Sequence, residues 1–207
     1  MFVGFVKSER HRVLRRHIVH NFRAAGHRFE SFQKPLGRTC IHIRSVIRTA
    51  LHLAHHRAHD EPGRYAKDFL LWISTGRCLL LAMMSDASDE CMQLTRAMDS
   101  ENSDPAAVRL EIHVWVSKLD ALFVQGACLR CFGYTSTMVR TLSAPLVWNV
   151  GPVCNSVGNE NGVCPDIVQS CLDRMKIWVE LAKATVLAEF PDFEYCQAVQ
   201  RDHVINY

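Results

Sequence analysis

The predicted fold depends most on residues 104–132, DPAAVRLEIHVWVSKLDALFVQGACLRCF. Asp104 can accept hydrogen bonds from the first turn of a helix, and Pro105 follows at the first helical position, where a missing N–H costs nothing. At about 100° per residue, the large apolar side chains of this stretch share one narrow face: Val108, Ile112, Trp115, Leu119, Leu122 and Phe123. The pattern predicts a long core helix around which the other segments pack.

The segments on either side of this stretch also have helical patterns. Residues 64–84 have apolar side chains around most of the helical wheel, which predicts a buried helix; Gly76 marks either a close crossing or a break between two helices. A last strong helix starts after Asp166. We expect its core side to be formed by Ile167, Cys171, Trp178, Leu181, Ala182 and Val186.

Residues 149–165 are the exception, because Gly, Asn and Pro are concentrated there, and we expect an irregular loop. No stretch alternates apolar and polar residues for long enough to predict a sheet. The sequence therefore predicts an all-α fold, an irregular bundle of five or six helices with a basic helical N-terminal region.

The charge distribution divides the chain near Asp60-Glu61-Pro62-Gly63. The net charge of +3 combines a basic and an acidic part, because residues 1–67 contain 14 Lys and Arg against 4 Asp and Glu. Nine of the 11 histidines also precede residue 60. We interpret residues 1–62 as a basic His/Arg-rich helical region and residues 63–207 as an acidic all-α core domain.

Residues 8–32 form a basic amphipathic pattern that has three interpretations. It is an ordinary surface helix, a surface for nucleic-acid phosphates or anionic lipid headgroups, or an organelle-targeting presequence. On the second interpretation, membrane contact is made by the N-terminal helix at the bilayer surface. The candidate anion-binding residues are Arg12, Arg15, Arg16, Arg23, Arg28, Arg44 and Arg48.

Four histidines share one face of the helical pattern in residues 39–59. These are His52, His55, His56 and His59. Pairs four residues apart are spaced so that two imidazoles can ligate one metal ion, which makes zinc the candidate cofactor. No Glu follows His52 or His55, so the HExxH motif of helical zinc proteases is absent. A solvated basic face is the other interpretation.

Nine cysteines without a signal-peptide pattern predict free thiols in a reducing intracellular compartment, nuclear or cytoplasmic, with mitochondria as the alternative. Cys128 and Cys131 form a CxxC pair at the predicted end of the 104–132 helix, where the helix dipole disfavours a thiolate. With Cys154 and Cys164 they are a candidate zinc site, against the alternative that all four are packing or incidental thiols.

The sequence contains none of the motifs GxSxG, Walker A, GxGxxG or HExxH, and it has no continuous apolar run that predicts a transmembrane segment. We therefore expect a non-enzymatic helical interaction or regulatory protein with a protein partner, whose basic region contacts an acidic partner such as nucleic acid. The alternative is a metal-dependent helical enzyme or metal sensor that uses the four histidines. Substrate, oligomeric state and cleavage of residues 1–35 are left open by the sequence.

Overall fold

The computed structural model describes residues 30–99 and 105–189, which form seven α-helices and one antiparallel pair of strands. The predicted predominance of helix is confirmed. The elements are α1 (Glu30–Ile41), α2 (Ile43–His56), α3 (Glu61–Trp72), α4 (Thr75–Met98), α5 (Pro105–Leu119), α6 (Tyr134–Leu142), β1 (Leu146–Val150), β2 (Val153–Val157) and α7 (Pro165–Glu189).

Helix α4 is the central element, since its opposite faces belong to two apolar clusters. Cys78 and Ala82 pack with buried residues of α2, α3, α6 and the two strands. Leu79, Met83 and Ala87 lie about 100–180° further round the same helix and pack with α5 and α7. The helix begins where the Ser74 hydroxyl accepts a hydrogen bond from the Arg77 N–H. Of the two alternatives left open at Gly76, a break between two helices is present, at residues 73–74 just before it, and α3 and α4 meet there at 97°.

The turn between α2 and α3 spans residues 57–60, and the charge boundary after residue 62 lies in the first turn of α3. A Cβ on Gly63 would overlap the carbonyl of Arg57, so glycine is required for the two helices to turn this tightly. Ile43, Ile47 and Leu53 of α2 pack in the same cluster as Leu70 of α3. Apolar residues from both sides of the turn therefore share one core.

The predicted core stripe of the 104–132 helix is confirmed, but the predicted length of that helix is wrong. Ile112, Trp115, Leu119 and Phe123 are buried. The α-helix ends at Leu119, a π-helical turn follows over Asp120–Val124, and Gly126 takes a left-handed φ of 73°. A left-handed residue ends a helix because the chain direction changes there. A short 3₁₀ turn, Ala127–Leu129, then leads towards α6. Asp104, the predicted cap, lies outside the described residues.

The loop predicted at 149–165 is partly wrong as well, because its first half belongs to a β-hairpin. Strand β1 pairs with β2 in a register that places Trp148 opposite Asn155 and Leu146 opposite Val157. Gly151, with φ of 58°, begins the two-residue turn, as a hairpin turn with a left-handed first position requires. Two contacts fix the hairpin on the core: Trp148 is buried, and the Asn155 side-chain amide donates to the carbonyl of Leu70 at 3.0 Å.

Helix α7 packs along α4 and the π turn through Cys171, Leu172, Met175 and Val179, all of which are buried. The Lys183 ammonium binds the Asp120 carboxylate at 2.6 Å and so ties the helix to the π turn. Leu181, however, is 66% exposed, so its predicted place in the core is wrong. It lies at the edge of the apolar arc, on the side that turns away from the core.

Between residues 30 and 189, excluding 100–104, no single helix has both the length and the apolar composition that crossing a bilayer requires. Helices α3 and α4 meet that criterion only when they are taken together as a strongly bent pair.

A candidate binding cleft beside helix α4

A cleft of about 430 Å³ lies between the end of α1, the middle of α4 and the segment that leads into α6. Ile41 and Leu122 provide apolar surface in it, and three carboxylates of α4 form one wall. The chain from Cys128 to Tyr134 forms the opposite side. The cleft therefore combines residues that are up to 96 positions apart in the sequence, between Ile41 and Thr137.

The acidic wall consists of Asp86, Asp89 and Glu90, which are spaced three and four residues apart and so share one face of α4. The Glu90 carboxylate forms an ion pair with the Lys118 ammonium at 3.0 Å, and the same ammonium donates to the Gln93 side-chain oxygen at 2.8 Å. Lys118 therefore ties α5 to the acidic wall.

Asp86 also has a structural role, because its carboxylate caps helix α6. One oxygen accepts the backbone N–H of Tyr134 at 2.8 Å, and the other accepts that of Thr135 at 2.9 Å. These N–H groups belong to the first turn of α6, where no carbonyl of the helix reaches them and where the helix dipole favours a negative charge. A Cβ on Gly133 would lie 2.7 Å from the Asp86 carboxylate, so glycine permits this approach.

Tyr134 stands between the acidic wall and α1. A Cβ on Gly37 would overlap the Tyr134 ring, which shows how closely the ring lies against the α1 backbone. Burial raises the pKa of the Tyr134 phenol, and the negative charges of Asp89 and Asp86 and the thiol of Cys40 raise it further. The carboxylates of the acidic wall therefore favour the neutral form of the Tyr134 phenol.

The rim of the cleft carries an aromatic side chain that the protein itself leaves uncovered. Phe132 is 100% exposed, the highest value among the large apolar residues of the described chain. Its neighbour Cys131 is exposed too, whereas Cys128 at the base of the cleft is buried. An uncovered aromatic ring beside a concave surface is typical of a contact made with another molecule.

The four cysteines of the candidate zinc site are not brought together. Cys128 and Cys131 lie at the cleft, Cys154 lies in β2, and Cys164 precedes α7. Burial raises the pKa of the Cys128 thiol to about 12, and the charge of Asp86 adds to the effect. This thiol is therefore protonated at neutral pH. The CxxC pair follows the end of α5 and does not lie in its last turn, as the sequence predicted, because Gly126 has already ended the helix.

The candidate metal histidines are only partly grouped. The rings of His52 and His56 lie 4.3 Å apart, centre to centre, and those of His55 and His56 lie 5.1 Å apart. His55, His56 and His59 are exposed, as a solvated face requires. Among the described residues, no three His, Cys, Asp or Glu side chains form a group that could hold a metal ion.

The candidate anion-binding arginines divide into two sets. Arg12, Arg15, Arg16, Arg23 and Arg28 lie outside the described residues, so only Arg44 and Arg48 can be placed. The Arg44 guanidinium donates to the carbonyls of Thr141 at 3.2 Å, of Ala144 at 3.0 Å and of Pro145 at 3.5 Å. It is thus occupied at the end of α6. Arg48, one turn later on α2, is exposed.

The sequence did not predict this cleft, although two of the features that form it can be recognised in the sequence. The carboxylates at 86, 89 and 90 have the spacing of one helical face, and Phe132 directly follows the CxxC pair. The sequence did not show that the chain after Gly126 turns back to face those carboxylates. No protein-family model matches the sequence, and comparison with curated proteins and with solved structures finds no match.

Proposed function

We propose that this protein is a non-enzymatic interaction or regulatory protein, and that the cleft beside α4 binds a segment of a protein partner. The partner segment carries a Lys or Arg next to an apolar side chain. One observation carries the proposal: the fully exposed Phe132 stands at the rim of a cleft with an acidic wall. The apolar group would pack on Phe132, Ile41 and Leu122, while the cation would face the acidic wall of the cleft.

The chemistry of the cleft supports binding in preference to catalysis. The Cys128 thiol is neutral near pH 7, since its pKa is raised to about 12, and a nucleophilic cysteine needs the thiolate. The Asp86 carboxylate is committed to two backbone N–H groups of α6, and Glu90 is paired with Lys118. The polar groups of the cleft thus hold its shape and set its charge.

Arg and aromatic side chains dominate the binding energy of protein interfaces, and a guanidinium binds both carboxylates and aromatic faces. The pair formed by Phe132 and the acidic wall offers both partners to such a group. Nucleic-acid binding by the basic N-terminal arginines remains a separate prediction, since those residues lie outside the described chain.

A displayed library of random 12-residue peptides tests the proposal without a known partner. Peptides selected on the full-length protein should combine a Lys or Arg with an apolar residue. Each selected peptide should bind Phe132→Ala at least about tenfold more weakly, as expected when an interface aromatic is truncated. Binding should also weaken as salt rises from about 50 to 300 mM, because the charges in the cleft are screened.

Val147→Ala is the matched control, because Val147 is 61% exposed on the hairpin, away from the cleft. It should leave peptide binding unchanged, and both variants should melt at the wild-type temperature, since neither side chain is buried. Selected peptides that bind Phe132→Ala as tightly as wild type would contradict the proposal. So would a selection in which nothing is enriched, or one that enriches acidic peptides.

A further inference from the structure

Helix α7 carries an apolar stripe that the described part of the chain leaves exposed. Ile177 and Leu181 are 72% and 66% exposed, and Ala184 and Ala188 are exposed along the same line. Steps of four, three and four residues keep these side chains within about 60° on the helical wheel. The buried residues Cys171, Leu172, Met175 and Val179 lie on the opposite side. The stripe therefore faces away from the core.

The order of residues along the stripe is self-complementary. We propose that α7 binds α7 of a second copy of this chain, antiparallel, about a two-fold axis that passes between Ala182 and Lys183. This symmetry places Leu181 opposite Ala184 of the second copy and Ile177 opposite Ala188. Each large side chain meets a small one, so the two helices can approach closely without leaving a gap.

The parallel arrangement lacks this fit. It would place Leu181 against Leu181 and Ala184 against Ala184, so that the leucines hold the helices apart at one level and the alanines leave a void at the next. Voids and overpacking both cost free energy in an apolar contact. The sequence of the stripe therefore selects the antiparallel pair.

The charges beside the stripe agree with the same symmetry. In an antiparallel pair, residues on one flank of the first helix meet residues on the same flank of the second. Arg174 and Glu189, both exposed, share one flank, and the axis places Arg174 alongside Glu189 of the second copy. On the other flank, Glu180 forms an ion pair with Lys183 of its own chain at 3.1 Å, and Lys183 also binds Asp120, so these charges are paired within each chain.

The extent of the stripe sets the expected affinity. From Ile177 to Ala188 the helix rises about 17 Å, and four side chains from each copy make the apolar contact. A contact of this length is smaller than a standard protein–protein interface of about 1,600 Å². We therefore expect a reversible dimer that dissociates in the micromolar range.

Sedimentation equilibrium of the full chain, under reducing conditions at about 2–200 µM, measures this equilibrium. Leu181→Arg places two guanidinium groups near the axis, and it should raise the dissociation constant at least tenfold. Leu110→Arg, at a position on α5 that is 63% exposed, is the matched control and should leave the constant unchanged. Thermal unfolding of both variants should match wild type, because the replaced side chains are largely exposed.

A charge-free exchange tests the pairing itself. Leu181→Ala and Ala184→Leu should each weaken the dimer, since the first opens a void and the second makes two leucines collide. The double variant restores a large residue opposite a small one, and its dissociation constant should return to within about threefold of wild type. A chain that stays monomeric throughout, or a dimer that Leu181→Arg leaves intact, would overturn the proposal. Failure of the double variant to recover would do the same, since another register or another covering segment gives no such rescue.

Discussion

Asp86 is the residue at which the fold and the candidate site depend on each other. Its carboxylate forms part of the acidic wall and also accepts hydrogen bonds from the N–H groups of Tyr134 and Thr135. The same side chain therefore fixes the start of α6 beside the cleft. Asp86→Ala should lower the free energy of unfolding by about 1–2 kcal/mol, the usual cost of losing a helix cap. Urea unfolding at neutral pH measures the change.

Asp86→Asn is the control, since the amide oxygen still accepts one of the two N–H groups and asparagine caps helices well. It should lose less than half as much stability as the alanine variant. If Asp86→Ala unfolds at the wild-type urea concentration, then the two hydrogen bonds do not hold the start of α6.

The buried thiols make stability depend on alkaline pH. Burial, with a smaller contribution from the nearby Cys40 thiol, raises the pKa of Cys78 from 9.0 to about 12, and burial raises that of Cys40 to about 11. A thiol with a raised pKa in the folded state contributes fully below pH 9. Above pH 9 its contribution falls, because the unfolded chain ionises first. Each such group should cost about 1.4 kcal/mol between pH 8 and pH 10.

Cys78→Ala isolates one of these thiols from the other groups that titrate in this range. Urea unfolding under reducing conditions should show that the variant loses about 1.4 kcal/mol less stability than wild type between pH 8 and pH 10. An equal loss in both proteins would mean that the folded protein lets Cys78 ionise as easily as the unfolded chain does.

At the scale of whole elements, the sequence predicted which face of a helix is buried more accurately than where the helix ends. The period of the apolar residues in 104–132 correctly placed Ile112, Trp115, Leu119 and Phe123 in the core, because burial of one helix face is a local property of the pattern. The end of that helix was missed. The π turn and the left-handed Gly126 depend on how the chain packs against α7, as the ion pair between Asp120 and Lys183 shows.

The hairpin was missed for a similar reason. The alternation in Leu146–Val157 is short, and the strands are fixed by tertiary contacts, such as the Asn155 amide on the Leu70 carbonyl. From the sequence, Gly151 indicated only that the chain turns or is irregular there. Its φ of 58° together with the following Pro152 makes it the first residue of a hairpin turn.

Gly151→Ala should destabilise the protein by about 1 kcal/mol, because a residue with a Cβ is strained at a left-handed φ. No atom lies within 4 Å of a Cβ built there, so steric overlap adds nothing to the cost. Gly151→Asn should recover part of the loss, since asparagine adopts this conformation more readily. Urea unfolding compares the three proteins, and an alanine variant as stable as wild type would show that the turn changes conformation at no cost.

At the scale of the whole molecule, the described helices on the two sides of the charge boundary share one apolar cluster. The composition indicated a basic region before residue 63 and an acidic one after it, yet α2 and α3 bury their apolar residues in one cluster. Charge along a chain is a property of its exposed residues, whereas a core is defined by which faces meet. The candidate cleft escaped prediction for the same reason, since Ile41, Asp86 and Phe132 come together only through the packing of α1, α4 and α6.

Arg44 links the two charge regions directly. It lies on α2, and its guanidinium donates to three carbonyls at and beyond the end of α6, about 100 positions later in the chain. Arg44→Ala leaves these carbonyls without their donor and should cost about 1–3 kcal/mol, as hydrogen bonds to a charged group do. Arg48→Ala, one turn further along α2 at an exposed position, should change stability by less than about 0.5 kcal/mol.

If the regions before and after residue 62 fold as one unit, Arg44→Ala should shift a single urea transition that tryptophan fluorescence and circular dichroism follow identically. Equal stability of the two variants would contradict the structural role of Arg44, and two separate transitions would contradict the shared core.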